Sequence, residues 1–135
     1  MRSPLVLSVL AALLVASVVF AAKPESATAD ISQLGASGIS GTADFKLMSD
    51  GDVRVHEQLS GLTPGAQYES VVYLAAAGCG SGTAVEIIQF TANNAGKANF
   101  NLVVPPQAVP AISGGSFISV EQGTTVLACG AIVNQ

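Results

Sequence analysis

Short segments in which apolar and polar residues alternate constrain the fold of this sequence more than any other feature. In residues 97–104, every second residue is apolar, from Ala98 to Val104. Side chains of a β-strand point alternately to its two faces, so a period of two predicts a strand with one buried face. We expect strands near residues 42–48, 53–59, 68–76, 84–91, 97–104, 116–121 and 125–133.

Turn-forming residues separate these segments. An Asp-Gly pair at 50–51 predicts a hairpin, because both residue types tolerate positive φ. Two prolines at 105–106 end the preceding strand, since proline cannot donate to a ladder. Residues 107–115 are expected to form a long irregular connection. Glu57 falls on the apolar side of its strand, which predicts a bulge there.

The spacing of these strands defines the fold class. The sequence has no helical stripe of apolar residues, and its turns recur at nearly even intervals. Short strands at such spacing are typical of antiparallel sandwiches and barrels. We therefore expect an all-β fold, an antiparallel Greek-key sandwich or flattened barrel of about seven to eight strands.

The N-terminus has the composition of an export signal. A basic start at Arg2 precedes an apolar run from Leu5 to Ala22 and then a polar stretch, as in secretory signal peptides. Cleavage is expected after residue 21 or 22, and residues 27–29 offer a second site with small residues. The alternative is an uncleaved anchor, because the run approaches the length that spans a bilayer.

This signal sets the expected domain organisation and location. Residues 1–22 are expected to be the signal peptide, 23–30 a short linker and 31–135 a single β-sandwich domain. The protein is then secreted or extracytoplasmic, in the periplasm, the cell envelope or the extracellular space. Contact with a membrane is expected only if the N-terminal segment is not cleaved.

The charge of the chain bears on the class of partner that it can bind. Nine acidic and five basic residues are scattered along the chain without a lysine/arginine cluster, which argues against nucleic acid as partner. We expect an unidentified protein or surface partner.

The two cysteines predict a disulfide. In an exported domain, Cys79 and Cys129 are expected to form one disulfide, which contributes roughly 4 kcal/mol of stability for a loop of about 50 residues. Two cysteines and one histidine do not suit a structural zinc site.

Few other side chains offer catalytic or metal-binding chemistry. His56 is the single histidine of the chain, and its polar neighbours indicate a solvent-facing strand residue rather than a ligand or general base. Asp50, Asp52 and Glu57 could supply oxygens to calcium, although turn chemistry accounts better for the two aspartates.

Two motifs resemble the copper/zinc superoxide dismutases. A Gly-Leu-Thr-Pro-Gly turn at 61–65 follows a valine-rich strand, and the closing segment at 127–132 reads Leu-Ala-Cys-Gly-Ala-Ile. The likeness covers roughly residues 41–132, and a chordin-type repeat domain is similar as well. The resemblance implies a superoxide dismutase-like β-sandwich.

The same resemblance implies that the metal chemistry has been lost. Ser70 and Val72 stand at the positions of the family's first pair of copper-ligand histidines, and Val71 matches the inward residue between them. Val126 stands where the family has an anion-guiding arginine. We therefore expect a degenerate member with no bound metal or cofactor, no catalytic residues and no dismutase activity.

The sequence thus predicts a non-catalytic exported β-sandwich module with a binding or structural role. Two alternatives stay open: a residual metal-binding or redox protein derived from a dismutase, with His56 and Glu57 among its ligands, and a membrane-anchored envelope component. The residues on the apolar face of each predicted strand are expected to form one core: Phe45, Leu47, Val53, Val55, Leu59, Val71, Phe100, Leu102 and Ile132.

Overall fold

The computed structural model describes residues 25–105 and 115–135, which form eight antiparallel strands. Each of the seven expected strands is present, and an eighth precedes them. The strands are β1 (Ser26–Gln33), β2 (Ser40–Leu47), β3 (Val53–Ser60), β4 (Gln67–Leu74), β5 (Thr83–Thr91), β6 (Ala98–Val104), β7 (Ser116–Gln122) and β8 (Thr125–Asn134).

The strands form a flattened barrel with one open seam. Their hydrogen-bonded order is β5-β4-β7-β8-β1-β2-β3-β6. β8 pairs with β1 on one side and β7 on the other, and so joins the two layers. β5 and β6, the two ends of this order, approach through side chains, with the ring centroids of Phe90 and Phe100 5.1 Å apart. The expected all-β antiparallel fold is confirmed.

β3 shows how the alternating sequence produces a barrel wall. Val53, Val55 and Leu59 are buried, whereas Arg54 between them is exposed. Glu57 is also fully buried and remains in unbroken register with both β2 and β6. The bulge expected at Glu57 is therefore absent, because the acid is accommodated inside the barrel. Register shifts occur instead in the β4–β5 and β7–β8 pairings, where Ile87 of β5 and Leu127 of β8 are skipped.

β1 extends the domain further toward the N-terminus than expected. It begins at Ser26, so residues 26–30 of the segment 23–30, which was expected to be a linker, are strand. Its buried face consists of Ala27, Ala29 and Ile31. Alanine is depleted in strands, so the alternation of β1 gives only a weak strand signal in the sequence.

One hydrophobic core fills the barrel. Eight of the nine expected core residues belong to it or pack against it, with Phe45, Val53, Val55, Leu59 and Ile132 buried and Leu47, Phe100 and Leu102 half-buried. Val71 is buried as well, but outside this cluster. In the segments 25–105 and 115–135, no helix is long and apolar enough to cross a membrane.

The turn before β3 has the expected chemistry. Gly51 has a φ of 97°, and the Asp50 carboxylate accepts a hydrogen bond from the backbone N–H of Asp52 at 3.1 Å. This is the local bond by which aspartate favours turns. Most of the expected irregular connection 107–115 lies outside the described residues.

Candidate functional site

The two motifs that resemble the dismutases have backbone roles. A Cβ at Gly61 would collide with the carbonyl oxygen of Gly38, and one at Gly130 with the carbonyl oxygen of Asp30. Gly130 permits this close approach where β8 passes β1. Both glycines are thus required by packing of the barrel, which gives each motif a structural role.

The side-chain directions of β4 differ from those implied by the resemblance. Tyr68 enters the core, and its hydroxyl accepts a hydrogen bond from the backbone N–H of Thr63 at 2.8 Å. Because directions alternate along a strand, Ser70 and Val72 also point into the barrel. Val71 points to the opposite face, so the expectation that it is the inward residue is wrong. The turn motif alone does not fix which parity of β4 faces the core.

Ser70 bonds to Glu57 in the barrel interior. Its hydroxyl oxygen lies 3.1 Å from Oε1 and 2.8 Å from Oε2 of Glu57. Neither side chain has exposed surface. Burial raises the pKa of Glu57 to about 7, and the hydrogen bond from Ser70 opposes that rise. The hydroxyl of Ser70, at a position that the resemblance assigns to a copper ligand, is thus hydrogen-bonded to Glu57. Glu57 is the residue at which a bulge was expected.

Val72 and Val126, which the resemblance assigns to a copper-ligand position and to the anion-guiding position, carry only aliphatic groups. Val72 is 1% exposed and packs in the core. Val126 is half-buried on β8, near the loop that contains Gly80. Neither side chain can coordinate a metal or attract an anion.

His56 lies on the outer side of β3 and bonds to amide side chains. Its Nε2 is 3.2 Å from Oδ1 of Asn99 and 3.4 Å from Nε2 of Gln58. The same ring nitrogen either donates to Asn99 or accepts from Gln58, depending on the tautomer. His56 and the buried Glu57 are neighbours on one strand, so their side chains point to opposite faces.

The residues at these positions do not fit copper or zinc. Copper(II) sites take nitrogen or oxygen donors, and zinc sites take imidazole, thiolate or carboxylate. Ser70 and Val72 provide a bonded hydroxyl and an aliphatic group. Over the described parts of the chain, no three histidine, cysteine, aspartate or glutamate side chains are grouped closely enough to hold a metal ion.

A second buried carboxylate lies on the other face of β4. Glu121 on β7 is 6% exposed. Its Oε2 accepts hydrogen bonds from the hydroxyls of Tyr73 and Ser119, the latter at 2.6 Å. Burial and the bonded carboxylate raise the pKa of Tyr73 to about 12. This network is not evident from the sequence; its one signal there is that Tyr73 shares its side of β4 with Glu69 and Val71.

A polar groove of about 510 Å³ opens beside this network, where β4, β5 and β7 meet. Glu69 and Glu121 stand opposite each other in the β4–β7 register. The described groove lining contains no basic residue, and it consists of Gln67, Tyr68, Glu69, Gln89, Phe90, Thr91, Glu121, Gln122 and Gly123.

The expected disulfide is present. Cys79 and Cys129 are bonded, with their Cα atoms 6.0 Å apart, inside the usual range. The bond ties the loop after β4 to β8.

Comparison with known proteins identifies the fold. No protein-family model matches the sequence, and no curated protein matches it. The crystal structure of the clock protein EA4 is similar, with a TM-score of 0.59 and 15% identity over 87% of this chain and 99% of that one. A mutant of Candida albicans superoxide dismutase 5 is also similar, with a TM-score of 0.50 and 16% identity over 83% of this chain and 92% of that one. The chain is thus an all-β protein with a superoxide dismutase-like fold.

Proposed function

We propose that this protein is a non-enzymatic exported module that uses a superoxide dismutase-like barrel for a binding or structural role. One observation carries the proposal. At the two positions that the resemblance assigns to copper ligands, Ser70 bonds to a buried acid and Val72 packs in the core. Both side chains stabilise the barrel interior, where a metal ion would have to displace them.

The electrostatics support the absence of dismutation. A positive funnel that attracts the superoxide anion speeds such a reaction, and Val126 supplies no charge at the position of the guiding arginine. The groove beside β7 presents Glu69 and Glu121 instead. These two carboxylates would repel an anion that approaches the groove.

Two features support export. The first 22 residues have the basic, apolar and small-residue order of a secretory signal. The Cys79–Cys129 disulfide is of the kind that persists in oxidising compartments. Together, these two features support a secreted or extracytoplasmic location.

Metal content and superoxide turnover test the proposal directly. The protein is purified without a histidine tag, its copper and zinc are measured by mass spectrometry, and dismutation is assayed before and after copper addition. We expect less than stoichiometric copper and no turnover above that of an equal amount of free copper.

Two variants separate the redox alternative from this proposal. His56→Ala removes the histidine, and Asn101→Ala removes the residue paired with it on β6 as a matched control. Stoichiometric copper with turnover that is lost in His56→Ala and kept in Asn101→Ala would overturn the proposal in favour of a residual redox protein.

A further inference from the structure

The Glu57–Ser70 contact crosses the barrel. Glu57 lies on β3 and Ser70 on β4, and these strands are not neighbours in the hydrogen-bonded order. Both residues are completely buried, so the contact joins the two layers through the core. Breaking it would leave a polar group in an apolar interior, which costs free energy.

A count of protons shows which form of Glu57 this geometry suits. The serine hydroxyl has one proton, yet its oxygen lies within hydrogen-bond distance of both carboxyl oxygens. With an ionised carboxylate, Ser70 satisfies one oxygen at a time. A neutral acid adds a second proton, which Glu57 donates to Oγ while Ser70 donates to the other carboxyl oxygen. Both contacts are then hydrogen bonds.

Apart from Ser70, no side chain of the described core stabilises ionised Glu57 with a charge or a hydrogen bond. Ala43 of β2 and Phe100 of β6 flank Glu57 in register. Tyr68 is the other titratable side chain of the described core, and its hydroxyl is used at Thr63. The charged side chains of β2 and β3 lie on the exposed face: Asp44, Lys46 and Arg54. The remaining strands contribute apolar side chains to this core, among them Ala29, Ile31, Ile87, Phe90, Ile118, Val120, Ala128 and Ile132.

We propose that Glu57 and Ser70 form a pH-dependent clasp between the two layers of the barrel. The neutral acid holds β3 to β4 across the core, and ionisation of Glu57 weakens this connection. The exported protein is therefore most tightly closed in an acidic environment and loosens toward neutral pH.

The direction of the pH dependence follows from linkage. Burial raises the pKa of Glu57 from 4.5 to about 7 in the folded protein, so folding takes up a proton between these values. The contribution of the clasp is complete below about pH 4.5, falls as pH rises and is lost above about pH 7. In this window the folding equilibrium constant falls about tenfold per pH unit on account of Glu57.

Urea unfolding of the exported chain between pH 4.5 and 8 tests the clasp, with Glu57→Gln as the critical variant. Glutamine keeps the shape and remains neutral at every pH. We expect equal stability of the two proteins near pH 4.5 and a growing advantage of Glu57→Gln above it, about a hundredfold or more in the equilibrium constant by pH 7. Glu69→Gln, one residue before Ser70 and half-buried in the groove, is the matched control and should keep the wild-type dependence.

Two results would overturn the inference. One is a difference between wild type and Glu57→Gln that does not change with pH. The other is a midpoint near pH 4.5, instead of near 7, in a ¹³C NMR titration of the Glu57 carboxyl carbon. This titration is measured on the wild-type protein and does not require the variant to fold.

Discussion

The phenolic hydroxyl of Tyr73 on β4 donates a hydrogen bond to the buried carboxylate of Glu121 on the neighbouring strand β7. Ser119 donates to the same oxygen. The two hydroxyls supply donors to a carboxylate that is 6% exposed. A buried acid without such donors is costly, so these residues depend on one another.

Tyr73→Phe should destabilise the protein by about 1–3 kcal/mol, because Glu121 loses a donor inside the fold. Urea unfolding measures the loss. Ser119→Ala should act on the same oxygen, and the double variant should therefore deviate from the sum of the two single effects. In a spectrophotometric titration, a tyrosine phase near pH 12 in the wild type should disappear in Tyr73→Phe. A phase that persists in the variant would contradict the assignment.

Gly130→Ala should strongly destabilise the barrel, because the new Cβ would collide with the carbonyl oxygen of Asp30. β8 and β1 must then move apart where the two layers are joined. Gly78→Ala is the matched control, since a Cβ at Gly78 would have no neighbour within 4 Å and the residue has no positive φ. Thermal unfolding compares the two. Equal melting temperatures would show that the motif glycine has another role.

The strands with large alternating side chains were predictable from the sequence. On the inward side, β3 has valine or leucine at three of four positions, and β6 has phenylalanine, leucine and valine after an initial alanine, so the period of two is evident. β1 is not evident from the sequence because its buried face begins with Ala27 and Ala29, and alanine gives a weak strand signal.

The buried acid was not predictable in the same way. Glu57 on an apolar face looks like a break in the pattern, and its partner lies 13 residues away in the other layer. Only the three-dimensional fold brings Ser70 to it. The sequence also does not show which side of β4 faces the core, since this depends on the direction of the Tyr68 side chain after the turn at residues 61–65.

Cys129→Ser should destabilise the protein by about 4 kcal/mol, the value that the chain-entropy model gives for a large closed loop. The disulfide joins residues separated by 50 positions. Reduction of the wild type should produce a similar loss, and Cys79→Ser should match Cys129→Ser. Urea midpoints that do not change on reduction would exclude a stabilising role.

The mature exported chain should begin at residue 22 or 23, ahead of β1. Cleavage at the second site, 27–29, would remove the first half of that strand. Ala27 and Ala29 are 2% and 1% exposed, and this half of β1 pairs with β2 and β8. Its loss would uncover the core and leave both neighbouring strands with unpaired backbone groups. Intact-mass measurement of the exported protein identifies the cleavage point. A chain that begins at Asp30 should unfold at a much lower urea concentration than one that begins at Lys23, and equal midpoints would show that this half of β1 is dispensable.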